Sequence, residues 1–109
     1  MRLEWITTLR EHVTELTAEA TRINREYNIL GKDKLEQDVR KSLVLLEHRI
    51  RLLLNPDEKT HQELLKSVHE IGEALLIKGL DDFRQLLEIV FERAQIVLRA
   101  EWQRVKKLQ

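Results

Sequence analysis

Cysteine is absent from the 109-residue chain, proline occurs once and glycine only three times. Without cysteine there is no disulfide framework, no thiolate nucleophile and no cysteine-based zinc site, and the composition fits a reducing compartment. Scarce proline and glycine together with 35% charged residues are typical of long helices rather than of sheets or disordered segments. The sequence therefore predicts one all-α domain covering residues 1–109.

An excess of charge of either sign is also lacking, because 19 basic residues are balanced by 19 acidic ones. Nucleic-acid-binding proteins normally carry a basic excess that neutralises phosphates, so nucleic acid is not an expected partner. No apolar run approaches the roughly 20 residues that cross a bilayer, and Arg2 and Glu4 interrupt any signal-peptide pattern. We expect a soluble domain in the cytoplasm.

Four amphipathic helices are predicted, at about residues 2–30, 34–54, 57–77 and 82–107. The first has apolar residues at alternating three- and four-residue steps, the heptad spacing that keeps one apolar row facing a partner. These residues are Ile6, Leu9, Val13, Leu16, Ala20, Ile23, Tyr27 and Leu30. The second helix is expected to be the most buried, with Val44, Leu45, Leu52 and Leu54 broadening its apolar face.

Helix ends are marked by glycine and by the corner in "LLLNPDEKTHQELL", residues 52–65. Pro56 cannot continue the second helix but suits the first turn of a third. We expect Asn55 to cap that helix and Glu58 to complete a capping box with it, although Thr60 and Glu63 offer a second starting point. Short connections make neighbouring helices antiparallel, which predicts an up-down-up-down four-helix bundle with the first and last helices longest.

Both termini and the Asn55–Pro56 corner lie at one end of this predicted bundle, and the longer outer helices should overhang it. Trp102 is expected level with the corner and Trp5 about a turn and a half farther out. Apolar residues exposed there, with basic neighbours, predict an interaction surface for a protein partner or a second copy. Its residues are Leu3, Trp5, Ile6, Trp102, Arg104, Val105, Lys106 and Lys107. Whether the two tryptophans are buried stays open.

Residues with the spacing of a metal site are few. Carboxylate-bridged metal bundles need two Glu-x-x-His pairs, and only Glu58 and His61 have that spacing. Because both lie in the first turn of a predicted helix, we interpret Glu58 as a capping residue and predict no metal or cofactor. All four histidines, which include His12, His48 and His69, are expected at partly exposed positions.

Nucleophilic chemistry is not indicated either. Ser42 and Ser67 are the only serines, and neither belongs to a recognisable nucleophile arrangement, so we predict that the chain is not an enzyme. Gly72 costs about 1 kcal/mol relative to alanine inside a helix, and a close approach of a neighbouring helix would explain it.

The stretch "SVHEIGEAL", residues 67–75, resembles the phosphoacceptor helix of sensor histidine kinases. Ser67, His69, Glu70, Ile71 and Leu75 match that helix, whereas the basic, small polar and proline positions hold glycine, glutamate and alanine. The resemblance implies an alternative function, a signalling module that passes a phosphoryl group through His69.

Three further stretches, "WITTLR" at 5–10, "LLLNPDEKTHQELL" at 52–65 and "QIVLRAEWQRVK" at 95–106, form a pattern across nearly the whole chain. Together they resemble small bacterial proteins with one or two N-terminal membrane helices, a helical cytosolic region and no assigned activity. The resemblance implies a non-enzymatic interaction or scaffold module at the cytosolic face of a membrane. A regulatory component of a bacterial defence system is a third alternative, which no residue supports directly.

Overall fold

The structure, a computed structural model, describes residues 2–30, 36–75 and 83–108. These residues form four helices, which are α1 Arg2–Leu30, α2 Glu36–Leu53, α3 Lys59–Glu73 and α4 Phe83–Leu108. The predicted all-α fold is confirmed, as is the prediction that the first and last helices are longest. Residues 31–35 and 76–82 lie outside the described residues, and with them Gly31 and Gly79, the glycines that mark predicted helix ends in the sequence.

Helix α1 buries the heptad row that its sequence predicts, from Ile6 to Tyr27. Its threonines are poor helix formers, and three of them donate their hydroxyl to the backbone carbonyl four residues earlier, at 2.8–2.9 Å. Such bonds satisfy the hydroxyl without adding to the helix ladder, so α1 is held mainly by the packing of its apolar row. That row is enclosed within the bundle and is not available to a second copy.

Each helix packs on its sequence neighbours and α1 closes the bundle against α4, which gives the predicted up-down arrangement. The pairing of α3 with α4 is the most extensive of the four, and the pairing of α2 with α3 is the least. The molecule is 51 Å long and 21 Å across. Over the described residues, none of the helices is both long and apolar enough to cross a membrane.

The buried face of α2 is narrower than predicted. Leu43, Leu46 and Ile50 are buried, but Val44 and Leu45 are exposed and Leu52 is 86% exposed. The expectation is therefore wrong for these three residues, whereas Leu54 is half-buried against the core as expected. Because α2 packs mainly on α1 and α3, a stripe at three- and four-residue spacing fills most of its share of the core, and Val44, Leu45 and Leu52 face outward.

Candidate functional site

The corner between α2 and α3 is a hydrogen-bonded turn rather than the start of a helix. The Asn55 side-chain oxygen accepts a hydrogen bond from the Asp57 N–H at 2.9 Å. The backbone carbonyl of Asn55 accepts one from the Glu58 N–H at 3.1 Å. Helix α3 begins at Lys59, so Asn55 is not its cap and the predicted start at residue 57 is two residues early. Asn55 uses its side chain to close the turn that Pro56 initiates.

Glu58 occupies the position before α3, yet its side chain makes no capping hydrogen bond. One carboxylate oxygen lies 3.0 Å from His61 Nε2, and the other accepts a hydrogen bond from Arg104 at 3.1 Å. The capping role predicted for Glu58 is therefore wrong. Its carboxylate instead joins the first turn of α3 to the last turns of α4.

His61 is only 4% exposed, which corrects the expectation of a partly exposed histidine at this position. Its ring stacks on Trp5, with centroids 5.8 Å apart and an interplanar angle of 20°. Its Nδ1 accepts a hydrogen bond from the Asn55 backbone N–H at 2.9 Å. The neutral ring then carries its proton on Nε2, which donates to Glu58. Of the other histidines, His48 and His69 are exposed and His12 is half-buried, as expected.

Trp5 belongs to the same cluster, because its indole N–H donates to the Leu53 carbonyl at the end of α2, at 2.9 Å. Trp5 is half-buried against the core. The expectation that it lies a turn and a half beyond the corner is wrong, since it contacts the corner directly. The bond satisfies a carbonyl that the end of α2 would otherwise leave without a partner.

Glu101 is the most deeply buried charged residue of the described chain, at 1% exposure. The Arg104 guanidinium donates to its carboxylate at 2.6 Å and also reaches Glu58, so one cation bridges two acids. The hydrogen bond to Glu58 and the charge of Glu101 raise the pKa of Arg104 above its ordinary value. We call Trp5, Glu58, His61, Glu101 and Arg104 the corner cluster.

The corner cluster also brings together three metal-ligating groups, since one ligand atom from each of Glu58, His61 and Glu101 lies within 4.8 Å of the others. A metal at His61 would need the Nε2 lone pair, which moves the ring proton to Nδ1. A proton on Nδ1 would face the Asn55 backbone N–H, which is also a donor, so the hydrogen bond between Asn55 and His61 would be lost. Because Arg104 already occupies one oxygen of each carboxylate, the arrangement suits an ion-paired link better than a metal site.

The eight residues of the predicted interaction surface are divided between the surface and the core. Ile6 and Val105 are buried, so the expectation that they are exposed is wrong. Leu3 and Trp102 are exposed large apolar residues, and Trp102 is 42% exposed. Lys106 places its Nζ 5.6 Å from the centre of the Trp102 ring, a cation–π distance. Lys107 is exposed, whereas Trp5 and Arg104 take part in the corner cluster.

Leu52 is a further exposed apolar residue, which the sequence did not predict to be exposed. It precedes Leu53, the residue that accepts the Trp5 hydrogen bond, so it lies at the same end of the bundle, but on α2, which is diagonal to α4. We call Leu3, Trp102, Lys106 and Lys107 the end surface. The sequence signal that could have identified Leu52 is its place just after Ile50 and Arg51, off the inward row of α2.

Comparison of the chain with protein-family models, with curated proteins and with solved structures gave no match in any of the three. The resemblance to bacterial proteins with membrane helices is not tested by these comparisons and stays a prediction. The function of the end surface is therefore argued from its own geometry.

Proposed function

We propose that the chain is a non-enzymatic helical interaction module that contacts its partner through the end surface. The observation that carries this proposal is the exposure of Trp102 near the end of α4, with Lys106 at a cation–π distance from its ring. Exposed large apolar residues with charged neighbours are typical of interaction sites, and tryptophan is enriched in them.

The corner cluster supports the proposal because it fixes the backbone behind this surface. The Trp5 hydrogen bond ties α1 to α2, and the Arg104 bridge ties α4 to α3. A surface whose supporting elements are already ordered loses less conformational entropy when it binds. The cluster is thus a structural support, and the exposed residues around it provide the contacts.

The chemistry of the end surface favours an anionic membrane as the partner. Trp102 offers an amphipathic ring, and Lys106 and Lys107 add positive charge beside it. Tryptophan prefers the lipid headgroup region, and each lysine near an anionic surface contributes about 1 kcal/mol. A membrane contact through this surface agrees with the resemblance to bacterial proteins with N-terminal membrane helices, which implies a module at the cytosolic face of a membrane.

The first test is co-sedimentation with vesicles of phosphatidylcholine alone and of phosphatidylcholine mixed with phosphatidylserine. We expect the chain to bind only the anionic vesicles, with less binding as salt rises because the charges are screened. Trp102→Ala should reduce binding, whereas Phe91→Ala should not. Phe91 is as exposed as Trp102 but lies on α4 about 16 Å away, so it controls for the loss of an aromatic residue.

Light-scattering mass in the same buffer separates lipid binding from self-association. A monomer that binds anionic vesicles through Trp102 agrees with the proposal. A dimer that dissociates with Trp102→Ala and ignores vesicles would assign the end surface to a second copy. A monomer that binds neither kind of vesicle would contradict a membrane-facing role.

Phosphoryl transfer through His69 is the second candidate, and the exposure of that side chain favours it. However, His69 Nε2 lies 2.9 Å from Glu73 and Nδ1 lies 3.3 Å from Glu47. Attack on a phosphoryl group needs a nitrogen lone pair, so one of these contacts would have to break. Incubation with acetyl phosphate tests the idea, because an acid-labile phosphoryl adduct lost in His69→Ala would support it.

A further inference from the structure

The groove between α2 and α3 is a second surface, separate from the end surface. Its walls are one face of each helix, and the exposed Glu47–His69 contact crosses it. On the corner side of that contact the groove has a volume of about 620 Å³. This volume is within the range of about 300–1,000 Å³ found for binding sites. The stretch of α2 from Glu47 to Leu53 makes this part of the groove about 9 Å long.

The groove combines apolar and basic groups. Leu54, Pro56 and Leu65 supply apolar surface, and Arg51 lies on the α2 side and Lys66 on the α3 side. Among the described residues, no acidic side chain lines the groove on the corner side of the Glu47–His69 contact, whereas Glu47 and Glu73 line it on the other side. The corner side therefore carries an excess of basic groups, although the chain as a whole has equal numbers of acidic and basic residues.

Arg51 and Lys66 also differ from the ion-paired cations of this protein. Arg22 pairs with Glu19 and Glu26, Arg93 with Glu63, and Arg104 with two acids. Over residues 2–30, 36–75 and 83–108, neither Arg51 nor Lys66 has a carboxylate within ion-pair distance. Two unpaired cations beside apolar surface complement a ligand that carries both carboxylates and aliphatic groups.

We propose that this groove binds an acidic amphipathic helix of a partner protein. Two helices that lie side by side form a groove in which a third can pack its i, i+3 and i+4 side chains. Aliphatic residues of the partner would lie on Leu54 and Leu65, and its flanking carboxylates would reach Arg51 and Lys66. A membrane surface is flat on this scale and contacts convex patches, so the concave groove favours a helix over lipid.

The test is a calorimetric titration of the full chain with two synthetic helical peptides, each roughly four turns long. Both peptides carry leucine at helical spacing, flanked by glutamate in one and by lysine in the other. We expect only the glutamate peptide to bind, with an affinity that falls as salt rises. The double variant Arg51→Glu, Lys66→Glu should lose at least about tenfold in affinity for this peptide and gain binding of the lysine peptide.

Two substitutions that leave the charge unchanged test the apolar part of the groove. Leu65→Ala should weaken binding of the glutamate peptide, whereas Leu45→Ala should not, because Leu45 lies in the groove between α1 and α2. Equal binding of both peptides, binding of neither, or an unchanged preference in the double variant would overturn the proposal. Trp102→Ala should leave peptide binding intact, so failure of this proposal and failure of the vesicle experiment are distinguishable.

Discussion

Helix α3 is held to its two neighbours in different ways. On the α4 side, Arg93 donates to Glu63 at 2.8 Å and Arg104 donates to Glu58 at 3.1 Å, across the most extensive pairing of the bundle. On the α2 side the pairing is the least extensive, and it includes an open groove. The difference shows that the same helix can be anchored on one side and leave binding space on the other.

The largest expected difference in stability is between alanine substitutions at two adjacent leucines of α3. Leu64 is fully buried, whereas Leu65 lines the groove and is half-buried. Leu64→Ala should lower the free energy of unfolding by about 3 kcal/mol, because it leaves a cavity in the core. Leu65→Ala should cost less than about 1 kcal/mol. Urea unfolding measures both, and equal losses would show that the α2 side is packed as firmly as the core.

The next largest difference in stability is expected between two glutamates. Glu101 makes a buried ion pair within α4, and Glu47 makes an exposed one between α2 and α3. Glu101→Gln keeps the side-chain shape but removes the charge that Arg104 binds, and should lower stability by about 1–2 kcal/mol at neutral pH. Glu47→Gln alters only an ion pair with the exposed His69 and should change stability by less than about 0.5 kcal/mol. A larger loss for Glu47→Gln in chemical unfolding would reverse the comparison.

A smaller effect is expected at the tryptophans. Trp5→Phe keeps an aromatic ring near His61 but removes the hydrogen bond to Leu53, so stability should fall by about 1 kcal/mol. Trp102→Phe should change stability little, because Trp102 is on the surface. Thermal unfolding of the two variants separates these roles, and identical melting temperatures would argue against a structural role for the indole of Trp5.

The smallest expected effect is a gain in stability, on substitution of Gly72. An added Cβ at Gly72 would meet nothing within 4 Å, so the predicted close helix approach at this glycine is wrong. Gly72 lines the groove between α2 and α3 on the side of the Glu47–His69 contact that is farther from the corner. Gly72→Ala should raise the free energy of unfolding by about 0.5–1 kcal/mol, because alanine loses less entropy in a helix. A lower denaturant midpoint would instead mean that α2 lies closer to α3 in solution.

The sequence predicted the regular parts of the fold well. Two apolar rows are buried as their spacing indicates, one in α1 from Ile6 to Tyr27 and one that starts at Leu64 in α3 and ends at Leu75, two residues beyond that helix. Spacing was sufficient there because each helix has one apolar stripe with polar residues on the other faces. In α2, where aliphatic residues occur on several faces, composition alone could not separate inward residues from Leu52.

Most of the corner cluster could not be predicted because its members are polar. His61 comes three residues before Leu64, and Glu101 comes four residues before Val105, so both continue an apolar row at helical spacing. A polar residue in such a row is ordinarily interpreted as solvated, since burying it costs free energy unless a partner is present. Arg104 lies within reach of Glu101 at i,i+3 spacing on α4, whereas Asn55 is supplied to His61 by the turn and Glu58 meets Arg104 across 46 residues, contacts that only the folded chain brings about.

The hydrogen bonds of the corner cluster have a consequence for how the domain folds. The Trp5–Leu53 bond spans 48 residues and the Arg104–Glu58 bond spans 46. The two bonds lie within the helix pairs α1–α2 and α3–α4, where they join residues far apart in sequence, and contacts across such separations carry a larger loop-closure entropy than contacts between residues closer along the chain. We expect the corner cluster to form last, when the first and last helices both reach the same turn. The end surface would then be presented only by chains that have completed folding.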